Sequence, residues 1–98
     1  MIQNKKSIKE LVKNPDWQKV RISLLGQWKK KSLWCCQQLT KYLGSISSTS
    51  DDKLRIVMNY LTGTAFRIGL ISYPCVKRLR KLISLEMKKR KSKNKDSK

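Results

Sequence analysis

Apolar residues recur at helical spacing along almost the whole chain, and no convincing stretch alternates as a half-buried strand must. Ile8, Leu11 and Val12 suggest a short first helix, ended near Lys13 because a residue before proline avoids the α region. Asn14-Pro15-Asp16-Trp17 is a fresh start: Asn14 can cap, Pro15 suits the first helical position and Asp16 complements the dipole. Trp17, Val20, Leu24 and Trp28 continue that helix, with Gly26 weakening it by about 1 kcal/mol relative to alanine. Lys29-Lys30-Lys31-Ser32 is either a basic turn or the solvated middle of one long helix. Beyond it Cys35 or Cys36, Leu39, Tyr42 and Leu43 line another face, closed by Gly44 in a left-handed conformation.

The GSISSTS stretch, residues 44–50, is the clearest loop. Ser50 then caps a helix with Asp51 and Asp52 in its first turn and Leu54, Val57, Met58 and Leu61 on its apolar stripe. Thr62-Gly63-Thr64 is expected to break it, and a short segment from Ala65 to Gly69 follows. A last helix opens at Ser72-Tyr73-Pro74, with Val76, Leu79, Ile83 and Met87 in one arc. From Lys88 the apolar residues stop, and KKRKSKNKDSK has the composition of a disordered cationic tail. The expected fold is therefore all-α: a compact bundle of four to five short helices over residues 1–87, with a disordered basic tail over residues 88–98. Its core should contain Trp17, Val20, Leu24, Leu39, Leu43, Leu54, Val57, Leu61, Leu79 and Ile83. At 98 residues this is one domain with one modest core.

Composition removes most chemistries. The chain has no His, so His-based triads, proton relays and metal cages are excluded. Cys35, Cys36 and Cys75 are an odd number with two adjacent, which suits no disulfide framework and falls short of a four-ligand zinc site. They read as small hydrophobes on helix faces and point to a reducing, intracellular compartment. The six acids are Glu10, Asp16, Asp51, Asp52, Glu86 and Asp96; Asp16, Asp51 and Asp52 sit where helix starts account for them. No G-K-[ST] follows Gly63 or Gly69, so no phosphate loop is present. The chain reads as a non-enzyme without catalytic residues, metal or cofactor. No apolar run approaches the roughly 18–20 residues that span a bilayer, and the first residues lack a signal-peptide core, so a cytoplasmic protein is expected.

Charge is the specific feature. Lys and Arg number 24 against 6 acids, a net charge of +18. Residues 77–98 hold eleven of those cations and two acids, or +9. On a helical wheel Lys77, Arg80, Lys81, Lys88 and Lys91 fall opposite the apolar arc. Cations at this density repel one another until a polyanion neutralises them, and a phosphate backbone does so while releasing counterions. A nucleic acid, DNA or RNA, is therefore the expected partner. The candidate contacts are Tyr73, Lys77, Arg78, Arg80, Lys81, Lys88, Lys89, Arg90 and Lys91, with Lys29, Lys30, Lys31 and Arg67. Of the aromatic residues, Trp17 and Trp28 read as core, whereas Trp34 beside the Lys29–Lys31 run is the candidate for exposure and base stacking.

Residues 53–82, KLRIVMNYLTGTAFRIGLISYPCVKRLRKL, resemble the helix-turn-helix region of bacterial and archaeal winged-helix regulators. The resemblance implies a helix KLRIVMNYL, a short helix around Ala65, an Ile71-Ser72 turn and a recognition helix anchored by Val76, Leu79 and Leu82. It would make Tyr73, Lys77, Arg78 and Lys81 DNA contacts. The chain departs from that pattern in one extra residue after Gly69 and in the lack of wing strands after Leu82. In character, as a small basic helical protein without an enzymatic site, it is also similar to the small subunits of CRISPR effector complexes. That similarity implies non-specific backbone binding within a larger ribonucleoprotein, with protein partners or self-association. An inhibitor or adaptor docking to an acidic protein surface is the third expectation; membrane-surface binding fits residues 75–91 but not the Trp-rich first half.

Overall fold

The computed structural model describes residues 7–69 and 72–96, with the side chains of residues 64–68 and 93–96 outside that description. Among the described residues there are five α-helices, one 3₁₀ turn and no strand: α1 (Ile8–Leu11), α2 (Pro15–Leu24), α3 (Ser32–Leu43), the turn Ile46–Ser48, α4 (Asp51–Ile68) and α5 (Pro74–Asp96). The all-α reading holds. Helices α3, α4 and α5 pack on one another, α2 leans on α3, and α1 leans on α4. Among the described residues no helix is long and apolar enough to cross a membrane.

The helix starts follow local chemistry. Asn14 Oδ1 accepts from the backbone N–H groups of Asp16 (2.8 Å) and Trp17 (3.2 Å), two donors that the first turn of α2 leaves without helical partners. Ser50 Oγ likewise accepts from Lys53 N at 3.3 Å, ahead of Asp51 and Asp52 in the first turn of α4. Replacing Asn14 with alanine should cost about 1 kcal/mol, read as a lower urea midpoint at unchanged slope.

Of the ten expected core residues, all but Val20 are buried, and Val20 is half-buried against the same cluster. Leu11, Trp28, Cys35, Cys36, Ile56 and Val76 complete that core. An aromatic group forms one part of it: the Trp17 ring lies 5.5 Å from Tyr42 and 5.3 Å, edge to face, from Tyr60. Trp28 Nε1 donates to Tyr60 Oη at 2.7 Å, satisfying the polar atoms of both rings.

Two expectations need correction. Helix α2 stops at Leu24, so Trp28 enters the core from a turn and the Lys29–Lys31 run is a turn, not the middle of a long helix. The break at Thr62-Gly63-Thr64 does not occur, and the segment around Ala65 is the end of α4. Glycine and threonine cost a helix about 1 and up to about 0.7 kcal/mol each, whereas each fully buried Leu or Val contributes about 1.5–3 kcal/mol. Leu54, Val57 and Leu61 are fully buried along the same helix, so packing wins. The helix instead ends at Gly69, whose φ of +78° and ψ of +16° are left-handed values that suit glycine. Gly44 also has positive φ, +71°, but its ψ of −143° lies far from the left-handed helical well expected there.

The α5 backbone is helical to Asp96. Arg90 explains part of this. At about 100° per residue it returns to the inner arc beside Ile83 and Met87, and it reaches α4 and the 3₁₀ turn from there. Its guanidinium binds Glu86, Asp51 and the carbonyl oxygens of Ile46 and Ser47. The expectation for residues 97–98 and for the side chains of residues 93–96 lies outside the described residues.

Candidate nucleic-acid interface

Helix α5 sorts its residues by angle. Val76, Leu79 and Ile83 are buried, while Lys77, Arg78, Lys81, Lys88, Lys89 and Lys91 are exposed. From Lys77 to Lys89 the exposed row runs about 18 Å at 1.5 Å per residue. That is about five phosphates of one strand at 3.4 Å per base pair. Leu82 and Leu85 are exposed within the same outer surface, at 46% and 54%.

Cys75 Sγ lies 3.7 Å from the carbonyl oxygen of Ser32, the first residue of α3. This contact sets the Lys29–Lys31 turn at the same end of the molecule as Lys77 and Arg78. Lys29, Lys30 and Lys31 are all exposed, and Lys31 Nζ sits 5.2 Å above the Trp34 ring. Trp34, expected to be free, is half-buried and packed against the core, with that ammonium over it.

Other candidates are placed differently. Arg80 is half-buried rather than opposite the apolar arc, and its Nε is buried without a hydrogen-bond partner among the described residues. The wheel explains this, since Arg80 lies only about 40° from Val76, against about 100° for Lys77 and 140° for Lys81. Tyr73 precedes α5 and packs half-buried on the core. Arg90 is engaged as described above, on the inner side. Arg67 lies within α4, but its side chain is outside the described residues.

Three of the described acids gather elsewhere. Glu10, Asp16 and Asp52 surround an open depression of about 370 Å³ with Lys13, Lys53 and Tyr42, where the starts of α2 and α4 meet α1. Burial first, then the charges of Asp16 and Asp52, raise the Tyr42 phenol above its usual range. Among the described residues no group of three or more Cys, Asp or Glu side chains could hold a metal ion. Asp51 and Glu86 are both bound to Arg90. The outer face of α5 is thus built of cations, with those acids placed elsewhere.

Sequence reasoning missed a groove of about 430 Å³ between α3 and α5, lined by Leu33, Cys36, Thr40, Cys75, Leu79 and Leu82 and edged by Lys41 and Arg78. Leu33 is 62% exposed at its margin. An off-stripe leucine in an amphipathic helix carries no sequence signal of the neighbour that it will border.

Burial lifts the Cys35 thiol from about 9 to about 11. Between those pH values the unfolded chain loses a proton that the folded chain keeps, so folding weakens as pH rises. The stability advantage of the wild type over Cys35→Ala should be full at pH 7–8 and smaller at pH 10.5. Paired urea titrations at the two pH values check this, and a constant difference would refute it.

No known protein family, curated protein or solved structure matches the chain.

Proposed function

We propose that this is a non-enzymatic nucleic-acid-binding protein that holds the phosphate backbone on the outer face of α5. The observation that carries the proposal is the exposed row Lys77, Arg78, Lys81, Lys88 and Lys89, with the exposed Lys29–Lys31 turn at the same end of the molecule. Four of the five are lysines, point charges without a planar fork, so the row suits backbone neutralisation better than sequence readout. In a recognition-helix version Lys77, Arg78 and Lys81 enter the major groove, and Arg78→Ala costs about 1–3 kcal/mol on one cognate duplex only. In the backbone version Arg78→Ala and Lys88→Ala weaken all sequences alike, as expected of a subunit coating a ribonucleoprotein. The test is a competition titration of each variant against selected and random duplexes, and single strands, at fixed salt. Uniform losses support backbone holding; a loss confined to Arg78 on one duplex overturns it.

The α3/α5 groove favours a second reading, an adaptor that seats an acidic protein segment. Its apolar lining, with Lys41 and Arg78 at the edge, would suit an amphipathic helix carrying carboxylates on its flanks. Leu33→Ser with Leu82→Ser should abolish such an interaction and leave salt-dependent nucleic-acid binding in place.

A further inference from the structure

We infer that Cys36 and Cys75 are a paired oxidation site that closes to a disulfide joining α3 to α5. The two residues are 39 positions apart, yet Cys36 Sγ donates to Cys75 Sγ at 2.8 Å. A disulfide bond is about 2.05 Å long, so the sulfurs need to approach by less than about 1 Å. Both are free thiols. Cys75 is half-buried in the first turn of α5 and lines the open α3/α5 groove, which gives an oxidant access to its sulfur. Its own thiol points to Ser32 O, leaving its lone pairs toward Cys36. Cys36 is buried, and burial together with Cys75 holds its thiol protonated well above the usual range. Cys75 is therefore the entry sulfur and Cys36 the resolving one. Cys35 is fully buried, and successive helix residues point about 100° apart, so a Cys35–Cys36 bridge is disfavoured.

With a peroxide, the Cys75 sulfur attacks one oxygen, the O–O bond breaks and water leaves, giving a sulfenic acid. The Cys36 sulfur then attacks the Cys75 sulfur; the S–O bond breaks, Cys36 gives up its proton and a second water leaves. Two thiols and one hydrogen peroxide become one disulfide and two waters, the sulfurs losing two electrons in all. A thiol reductant reverses the reaction through a mixed disulfide.

The experiment treats the full chain with stoichiometric hydrogen peroxide, alkylates it under denaturing, non-reducing conditions, and maps the peptides by mass. The expected product is a monomer lighter by about 2 Da before alkylation, with Cys36 joined to Cys75 and only Cys35 alkylated. Its melting temperature should exceed that of the reduced protein by about 10 °C or more. Cys35→Ala should still form the bridge. A Cys35–Cys36 link, a disulfide-linked dimer, sulfinic Cys75 beside a free Cys36, or no oxidation at all would overturn the inference. The wild-type map decides the matter even if a cysteine variant fails to fold.

Discussion

Replacing Trp17 with alanine should remove about 3–5 kcal/mol of stability and lower the urea midpoint sharply. Domains of this size hold roughly 5–10 kcal/mol in total, so this loss is about a third or more of what exists. Trp17 is 1% exposed, and its ring packs on both Tyr42 and Tyr60. Those two rings belong to α3 and α4, so one side chain ties α2 to the rest of the bundle. Urea unfolding followed by far-ultraviolet circular dichroism measures the effect. Trp17→Phe should cost distinctly less, because an aromatic ring still fills most of the space. A loss below about 1 kcal/mol for Trp17→Ala would mean that the core is not organised around this ring.

The second large effect belongs to the outer face of α5. Changing Lys77, Arg78, Lys81, Lys88 and Lys89 together to alanine should leave the fold intact, since all five are exposed. If each neutralises one duplex phosphate, the slope of log K against log salt should become shallower by about 4–5 units. At 0.1 M salt that amounts to a loss of about 10⁴-fold in affinity. Changing Lys29, Lys30 and Lys31 to alanine should remove about 2–3 slope units by the same arithmetic if the turn shares the surface. A filter-binding or fluorescence titration of each variant over several salt concentrations checks both values. An unchanged slope in the five-site variant would place the binding surface elsewhere.

What could be seen in the sequence was whatever local chemistry decides. Asn14-Pro15-Asp16 and Ser50-Asp51-Asp52 start helices because a side-chain oxygen within three residues satisfies the first N–H groups, and no distant neighbour is needed. The apolar stripes were equally legible, because a face that repeats at 3.6 residues must be covered by something. The rest depends on what does the covering. Gly63 looked like a stop, but burial of Leu54, Val57 and Leu61 carries α4 past it. Arg90 looked like one more cation of a tail, but its angle on α5 brings it to Asp51, 39 positions away. Arg80 and Trp34 both sit nearer the core than their neighbours in sequence suggested. The same limit applies to Cys36 and Cys75, whose meeting is a property of how α3 lies against α5. The cationic face was legible in composition and in part by angle; Lys77, Lys81, Lys88 and Lys91 are where the wheel puts them.

The central claim is that α5 binds nucleic acid through phosphate neutralisation. Its most direct test is the affinity of the wild-type chain for a random-sequence duplex and for a single strand, measured between 50 and 300 mM salt. With five or more contacts on the duplex, log K should fall with log salt at a slope of about −4.5 or steeper, and for five on a single strand at about −3.5. Random and selected sequences should give nearly the same line if the row of Lys77, Arg78, Lys81, Lys88 and Lys89 meets backbone rather than base edges, as proposed. No measurable binding at the lowest salt, or an affinity that does not change over that range, would contradict the account.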